Sequence, residues 1–577
     1  MSHVISNLDR PSLVLCPTKT LAAQLCRELR SFLPNNSVEL FVSYYNYYTP
    51  ESFHEASGKY TAKKSSINAE IDSLRHRATR ALFTRDDVVV VASVSCIYGL
   101  GLPAQYLESA AWLEAGDGGD VHTLRETLEK MLYRRPENNY DLRRGDFLIN
   151  YSKNTVRLWP PYEAAPLEVV FGDRPLAHPL DAPATGNSTG NSTGNSTSVI
   201  TRIIKNAAAV PSLGGPSKRA LEESDVLQIA HESLPTQLPP ENVSSYHVYP
   251  ARHFVTPAER VEESCDSITA ELEEHTQAMA LSGQDSSIID RLKTRVSNDV
   301  LALRESGSCS GVENYSRYLS GREPGAPPDT LLDYFTAGKE NKDWLLVVDE
   351  SHVTLPQLKA MSGGDRARKN SLVKNGYRLP SALDNRPLNA DEFWERIHQC
   401  MFVSATPGKE ELLKSEGRAV DMFIRPTNIV DPAVAVRPSK TQLKDVEEEI
   451  KKRAGKGEKT LVMALTKRDA EDMADHLKGQ GVKADYIHSG LSTIERSDAL
   501  KSLQNSTIDC LVGVNLMREG IDLPQVSLVA ILRADCEGFL RGDTALMQMI
   551  GRAARNVNGE AILYADRVTG ATESSSV

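Results

Sequence analysis

The sequence predicts an α/β protein of two parallel-sheet lobes, with a smaller α+β domain inserted in the first. Three observations predict it. Short apolar runs alternate with helical periodicity in two separate stretches of the chain. Runs such as Val88-Val89-Val90-Val91-Ala92 are apolar at every position, as in a parallel strand covered on both faces. One such run, Leu345 to Val348, ends in the carboxylate pair Asp349-Glu350, and open α/β sheets bind ligands at that edge.

In chain order, Leu13 to Leu15 reads as a buried strand, Thr20 to Phe32 as a helix and Val38 to Ser43 as a second strand. The chain enters its first strand almost at once, so the reading is of a domain that begins mid-sheet. Residues 1–108 make the first lobe. From about 109 to 247 the pattern changes to an inserted domain, with paired strands between Arg144 and Leu158. It carries a low-complexity loop, about 184–240, in which Gly-Asn-Ser-Thr occurs three times in tandem from Gly186. Residues 248–414 hold a helical stretch, Thr256 to Glu305, and the rest of the first lobe. The second lobe, 415–568, has strands at Thr460–Leu465, Ala484–His488, Cys510–Val514 and Ser527–Leu532, and a helix at Lys467–Lys478. Residues 569–577 read as a disordered tail.

Composition narrows the function class. The chain has 577 residues, 40% hydrophobic and 25% charged, which suits several soluble globular domains. A net charge of −11 excludes a uniformly basic coat, so nucleic-acid contact needs a local patch. Eight cysteines without a C-x-x-C pair read as reduced thiols. No apolar run approaches the ~18 residues of a membrane span, and Met1 to Arg10 lacks signal-peptide character.

The chemistry concentrates in four places. Asp349 is a candidate Mg²⁺ ligand, through water, and Glu350 a candidate to orient attacking water. A pair of solvated loop acids is the competing reading. Ser404 and Thr406, in S-A-T after a strand, are candidates to couple the carboxylates to the other lobe. Gln548 to Arg555 reads Q-M-I-G-R-A-A-R. Arg552 and Arg555 would share one helical face and clamp a γ-phosphate, against the alternative of a solvated basic face. Gly520 and Asp522 close a loop, Gly513 to Asp522, suited to nucleotide and nucleic acid. The fourth place is Phe41 to Asn68, where Tyr44, Tyr45, Tyr47, Tyr48, Phe53 and Tyr60 crowd into a chain only 6% aromatic. Tyrosines usually pack in cores. Here the surroundings are polar, and aromatics with nearby cations stack on or wedge between bases. Tyr44, Tyr45, Tyr47, Tyr48, Glu51, Phe53, Tyr60, Lys63 and Arg75 are the expected DNA contacts, with Arg75, Arg77 and Arg80 on a helix meeting phosphates.

These residues closely resemble the UvrB family, the UvrB component of the excinuclease ABC complex in bacterial nucleotide excision repair. The resemblance rests on K-T-L-A-A-Q-L from Lys19, F-V-S-Y-Y-N-Y-Y-T-P-E from Phe41, V-A-S-V-S-C-I-Y-G-L-G from Val91 and N-Y-S-R-Y-L-S-G-R from Asn314. It continues with V-V-D-E-S-H-V-T-L-P-Q from Val347, R-L-P-S-A-L-D-N-R-P-L from Arg378, F-V-S-A-T-P-G from Phe402 and the run Val512 to Gly559. It covers nearly all the chain except about 109–247. The resemblance implies two RecA-like lobes of superfamily-two helicase type and a β-hairpin within about 44–68 that clamps one DNA strand. It further implies ATP and Mg²⁺ as cofactors, damaged double-stranded DNA as ligand, and UvrA, through the inserted domain, and UvrC as partners. The implied role is ATP-dependent damage recognition and verification with limited strand separation. A cytoplasmic setting is expected, or an organelle of bacterial descent.

The sequence departs from the family's pattern. No G-x-x-x-x-G-K-[S/T] occurs, which reads as truncation at or before that loop; a DNA-binding remnant without turnover is the alternative. The hairpin tip, Ser52 to Lys59, is more polar than usual. Leu148 and Asn150 stand where the family carries arginines, which puts UvrA docking in question. The C-terminal helical hairpin by which the family engages UvrC reads as missing. An unrelated motor of the same superfamily fits the tyrosine cluster less well.

Overall fold

The computed structural model describes residues 1–136, 142–173, 198–206, 226, 229, 239–307, 309–339, 343–422, 429–491, 493–514, 523–536, 538, 541–567 and 569. The chain divides into two compact units, one running to Ser404 and the other beginning at Ala405. The expected boundary at 414/415 therefore lies ten residues too late, because the last strand of the first sheet ends at Phe402.

The first unit opens with helix α1 (Ser2–Leu8), where the sequence suggests direct entry into a strand. Strand β1 (Ser12–Cys16), helix α2 (Lys19–Phe32) and strand β2 (Ser37–Phe41) follow. Thr18 caps α2 by accepting the Leu21 N–H, which ends the strand run and starts the helix. Then come β3 (Tyr45–Thr49), β4 (Ser52–His54), β5 (Lys59–Thr61) and β6 (Lys64–Ile67). β3 pairs with β6 and β4 with β5, both antiparallel, making a two-tier hairpin. Gly58 turns its tip at φ +62°, where a side chain would be strained. Helix α3 (Ala69–Thr84), capped by Asn68, leads to β7 (Val88–Ser93), buried at every position, and α4 (Pro103–Glu108).

The inserted domain comprises β8 (Ala111–Glu114), α5 (Val121–Lys130), β9 (Phe147–Asn150), β10 (Thr155–Leu158), β11 (Leu167–Asp173), β12 (Ser198–Lys205), β13 (Glu241–Val243) and β14 (Ser245–Val248). β9 to β13 form an antiparallel sheet, and β8 pairs with β14. Period-two alternation turns Phe147, Val156, Leu158, Val169 and Ile203 into the core. β12 falls inside the expected low-complexity loop; its β-branched Val199, Ile200, Thr201, Ile203 and Ile204 carry the strand. The tandem Gly-Asn-Ser-Thr repeats lie outside the described residues, as does the tail except Thr569.

Helices α6 (Ala258–Leu281) and α7 (Ser286–Ser306) pack as a pair around Cys265, Ile268, Leu292 and Val296. Strand β15 (Leu345–Val348), helix α8 (Ser351–Lys374) and strand β16 (Gln399–Phe402) complete the unit. Its main sheet is parallel, ordered β16-β15-β1-β7-β2. One core cluster runs from that sheet (Leu13, Phe41, Val90) into the inserted domain (Tyr162, Phe147, Leu158).

The second unit holds β17 (Ala433–Arg437), α9 (Gln442–Ala454), β18 (Lys459–Met463), α10 (Lys467–Gly479), β19 (Ala484–Ile487), α11 (Thr493–Gln504), β20 (Cys510–Gly513), β21 (Val526–Ile531), α12 (Asp543–Ile550) and β22 (Glu560–Tyr564). Its six-stranded parallel sheet is ordered β17-β22-β21-β18-β20-β19. Among the described residues no helix is long and apolar enough to cross a membrane.

Candidate nucleotide site and nucleic-acid interface

β15 delivers Asp349 and Glu350 to the carboxyl edge of the first sheet. The Asp349 N–H donates to Leu15 O at 2.9 Å and the Ser351 N–H to Val403 O at 3.1 Å, so neighbouring strands fix the turn on both sides. Glu350 is left-handed, at φ 43°, uncommon for a residue with a side chain. This turn starts α8 and leaves the Glu350 side chain 45% exposed. Asp349 is buried, and burial, reinforced by the charge of Glu350, raises its carboxyl to about 6. His352 Nδ1 lies 3.6 Å from Glu350 Oε2 and 2.7 Å from Ser404 Oγ. Ser404 thus bonds His352, which lies beside Glu350 and whose residue type alone offers no reason to select it.

Thr406 lies in the second unit, where its Oγ1 accepts from Gln548 Nε2 at 3.1 Å. Arg552 and Arg555 are not on one face of an α-helix. α12 stops at Ile550, a single 3₁₀ turn covers Gly551–Ala553, and Arg555 lies beyond it, exposed. The tighter turn follows from Gly551, poorly suited to continuing an α-helix. Gly520 and Asp522 lie outside the described residues.

The tyrosines form a stepped patch at the hairpin's base. Tyr44 and Tyr45 rings lie 4.5 Å apart, and Tyr45 stacks on Tyr48 at 4.8 Å. Tyr48 remains 48% exposed. Tyr47 lies on β3, and its side chain is outside the described residues. Beneath the patch, Arg75 is buried. Its guanidinium lies 3.9 Å from the Phe41 ring centroid and 4.8 Å from that of Tyr44, and Nη1 donates to Val42 O at 3.1 Å. Arg75 therefore supports the rings from below, by cation–π contact, rather than presenting a surface charge. Arg77 pairs with Glu39 and Arg80 with Glu163. The α3 arginines expected to meet phosphates are thus turned into the protein, since α3 is covered by β2 on one side and the inserted domain on the other.

The hairpin is tied down at its neck. Buried Glu51 accepts from Arg378 Nε at 2.8 Å and Tyr60 OH at 2.5 Å, and lies 3.0 Å from Arg295 Nη2. Burial raises the Glu51 carboxyl, but Arg378, the Tyr60 hydrogen bond and Arg295 outweigh it, and the group sits below its ordinary value. Tyr60 stacks on Tyr377 at 4.3 Å, and Phe53 lies 5.4 Å from the same ring. Lys63 pairs with Glu313 at 2.5 Å. Glu51, Tyr60 and Lys63, read from sequence as DNA contacts, thus each have a protein partner here, because the hairpin folds back onto α7 and α8.

Two further residues join this region. Lys19 Nζ donates to Tyr45 O at 3.2 Å, and burial lowers its ammonium. Tyr98 is partly exposed; burial, then Asp365 and Tyr48, push its phenol up to about 12. It follows the 3₁₀ turn Val94–Ile97 after β7, and its place in the Val91–Gly101 string is the signal for it.

The comparisons with known proteins fit this geometry. A helicase conserved C-terminal domain matches residues 441–557 and a UvrB third helical domain residues 259–321. UvrABC system protein B of Gloeothece citriformis (strain PCC 7424) is 47% identical over 572 residues, covering 99% of this chain and 76% of that protein. The chain belongs to the UvrB family. The UvrABC system protein B of Synechococcus elongatus (strain ATCC 33912 / PCC 7942 / FACHB-805) is 47% identical over 576 residues, with 99% and 77% covered. That of Synechocystis sp. (strain ATCC 27184 / PCC 6803 / Kazusa) is 44% identical over 572 residues, with 99% and 76% covered. In this UvrB-family chain the third helical domain is the α6–α7 pair, whose Arg295 reaches the hairpin. Asn150, at one of the two arginine positions, accepts from Ser152 Oγ and Lys153 N and so closes the β9–β10 turn. Leu148 sits half-buried opposite Arg157.

Proposed function

We propose that the chain is the damage-recognition and verification component of a UvrABC nucleotide excision repair system. It binds damaged double-stranded DNA, separates strands over a short length in a nucleotide-dependent way, and prepares the site for the UvrC nuclease. Family identity over 99% of the chain carries this reading, and the exposed Tyr48 on a tethered hairpin supports it. Tyr44, Tyr45, Tyr47, Tyr48 and Phe53 are proposed as the DNA-facing aromatics, with Arg75 positioning them. UvrA is the proposed partner of the inserted domain. The proposed setting is the cytoplasm, with an organelle of bacterial descent as alternative.

ATP and Mg²⁺ are the proposed cofactors. The donors fit a water-rich Mg²⁺: two adjacent carboxylates, one buried with its carboxyl raised to about 6 and one open. Mg²⁺ keeps several waters and takes one or two carboxylates. Asp349 would hold the metal, and bound Mg–ATP would supply the hydrolysable phosphate. Glu350 orients a water, Ser404 bonds His352 beside Glu350, Gln548 and Thr406 brace each other, and Arg552 and Arg555 are proposed to engage the γ-phosphate. Gly520 and Asp522 are proposed for the same nucleotide loop.

A second reading, DNA binding without turnover, applies to residues 1–577 taken by themselves, which contain no G-x-x-x-x-G-K-[S/T], a motif whose backbone cradles phosphates, and span 76% of the length of the Gloeothece citriformis relative. Filter binding to damaged and undamaged duplexes over a salt series, with an ATPase assay, separates the two. Damage-selective binding with ATPase abolished by Glu350→Gln supports the first reading. Selective binding with no turnover supports the second. Equal affinity for both duplexes defeats both.

A further inference from the structure

The inserted domain carries an exposed face that the DNA-binding reading does not use. β8 and β14 form a two-stranded ribbon in register Trp112 to His247 and Leu113 to Tyr246. Leu113, Tyr246 and Val248 turn inward and join the core. The opposite face presents Trp112, Glu114 and His247, as the period of two requires. Trp112 is 56% exposed, with its indole edge-on to His247 at 5.6 Å. Its Nε1–H donates to Glu114 Oε2 at 3.2 Å, which fixes the ring beside the carboxylate. Glu114 is itself exposed and has no ion pair with Lys or Arg among the described residues. Glu108, Glu114, Asp117 and Asp120 fall within thirteen residues that contain no Lys or Arg.

An indole face next to an unneutralised carboxylate is one half of a cation site. A guanidinium can stack on the ring while its N–H fork bonds the carboxylate, and arginine suits this better than lysine because it is planar and weakly hydrated. Glu114 beside the ring repels phosphate, and the nearest cation acting on this face, Arg80, is already paired with Glu163, so a nucleobase stacking here would bring its backbone toward an unpaired carboxylate. We infer that the Trp112–Glu114–His247 face of the β8–β14 ribbon is a docking surface for an arginine-bearing segment of a partner protein. Trp112 is the anchor and Glu114 the charge that selects it.

The test uses the full chain and a capped peptide of alternating glycine and arginine, followed by calorimetry and tryptophan fluorescence at physiological salt. Trp112→Ala and Glu114→Gln are each expected to weaken peptide binding by about fivefold or more, since each removes one of the two groups that hold the cation. The matching glycine–lysine peptide is expected to bind more weakly than the arginine one to the unmutated chain. Both side chains are on the surface, so unchanged circular dichroism and unchanged duplex binding check folding. Four results would overturn the inference: affinity unaltered in both variants; no measurable binding of the arginine peptide; an oligothymidylate whose binding depends on Trp112, which marks a base platform; or self-association abolished by Trp112→Ala, which marks a contact between copies.

Discussion

Replacing Glu51 by glutamine removes the buried carboxylate that Arg378 and Arg295 share at the hairpin's neck and leaves Asp299, 3.7 Å from Arg378 Nη1, as the remaining counter-charge. Glu51 is 6% exposed, and the Arg378 side chain opposite it is 5% exposed. Removing one partner of a buried pair costs about 3–5 kcal/mol, because the other charge is left uncompensated. Glutamine keeps the shape and still accepts from Tyr60 OH, and Asp299 still faces Arg378, so the lower end, about 3 kcal/mol, is expected. That cost falls on hairpin closure, since Arg378 and Arg295 belong to the body of the unit. It corresponds to about a hundredfold change in the opening equilibrium. Native-state hydrogen exchange reads it directly: amides of β4 and β5 should lose about a hundredfold in protection, while those of β1 and β7 keep theirs. The pH dependence has a definite sign. The Glu51 carboxyl lies below its ordinary 4.5 when folded, so its contribution is full above 4.5 and is lost as pH falls through the lowered value. The parent hairpin should loosen in acid and the variant should not. Protection of β4 and β5 in the variant within threefold of the parent would refute the reasoning.

Tyr47→Ala with Tyr48→Ala should lower the ratio of damaged to undamaged duplex affinity more than the affinity for undamaged DNA, with about 1–3 kcal/mol lost per stacked base, read by filter binding. Arg75→Met should destabilise the first unit by about 2 kcal/mol in a denaturant melt through loss of its cation–π contacts and the Val42 hydrogen bond; Arg75→Lys should not restore this fully. Burial lowers His76 from 6.5 to about 4, so the unfolded chain binds the extra proton first as pH falls. Stability should drop by up to about 3 kcal/mol between pH 6.5 and 4, and His76→Gln should flatten that slope.

Much of the fold is legible in the sequence because its signals are local. The Val88–Ala92 run of β7 and all of β15 are apolar at every position, which needs no tertiary knowledge to read. The same pattern places Asp349 and Glu350 at a strand's end. The differences share another cause. Spacing alone assigns Arg552 and Arg555 to one helical face, but the backbone tightens after Ile550. Arg75, Arg77 and Arg80 look like a basic surface because sequence shows charge and not cover. β12 is hidden within a low-complexity stretch whose composition swamps its short run of β-branched residues.

The sequence by itself determined the α/β class, the tyrosine cluster, the carboxylate pair and the family, since each rests on residue type and short-range spacing. The tertiary structure alone decided which charges are neutralised inside the protein. It set Arg75 beneath the tyrosines, closed Glu51 between Arg378 and Arg295, and bonded Ser404 to His352 beside Glu350. Most of these partners lie tens to hundreds of residues apart, and a side chain's role there depends on burial and counter-charge, which no local pattern encodes.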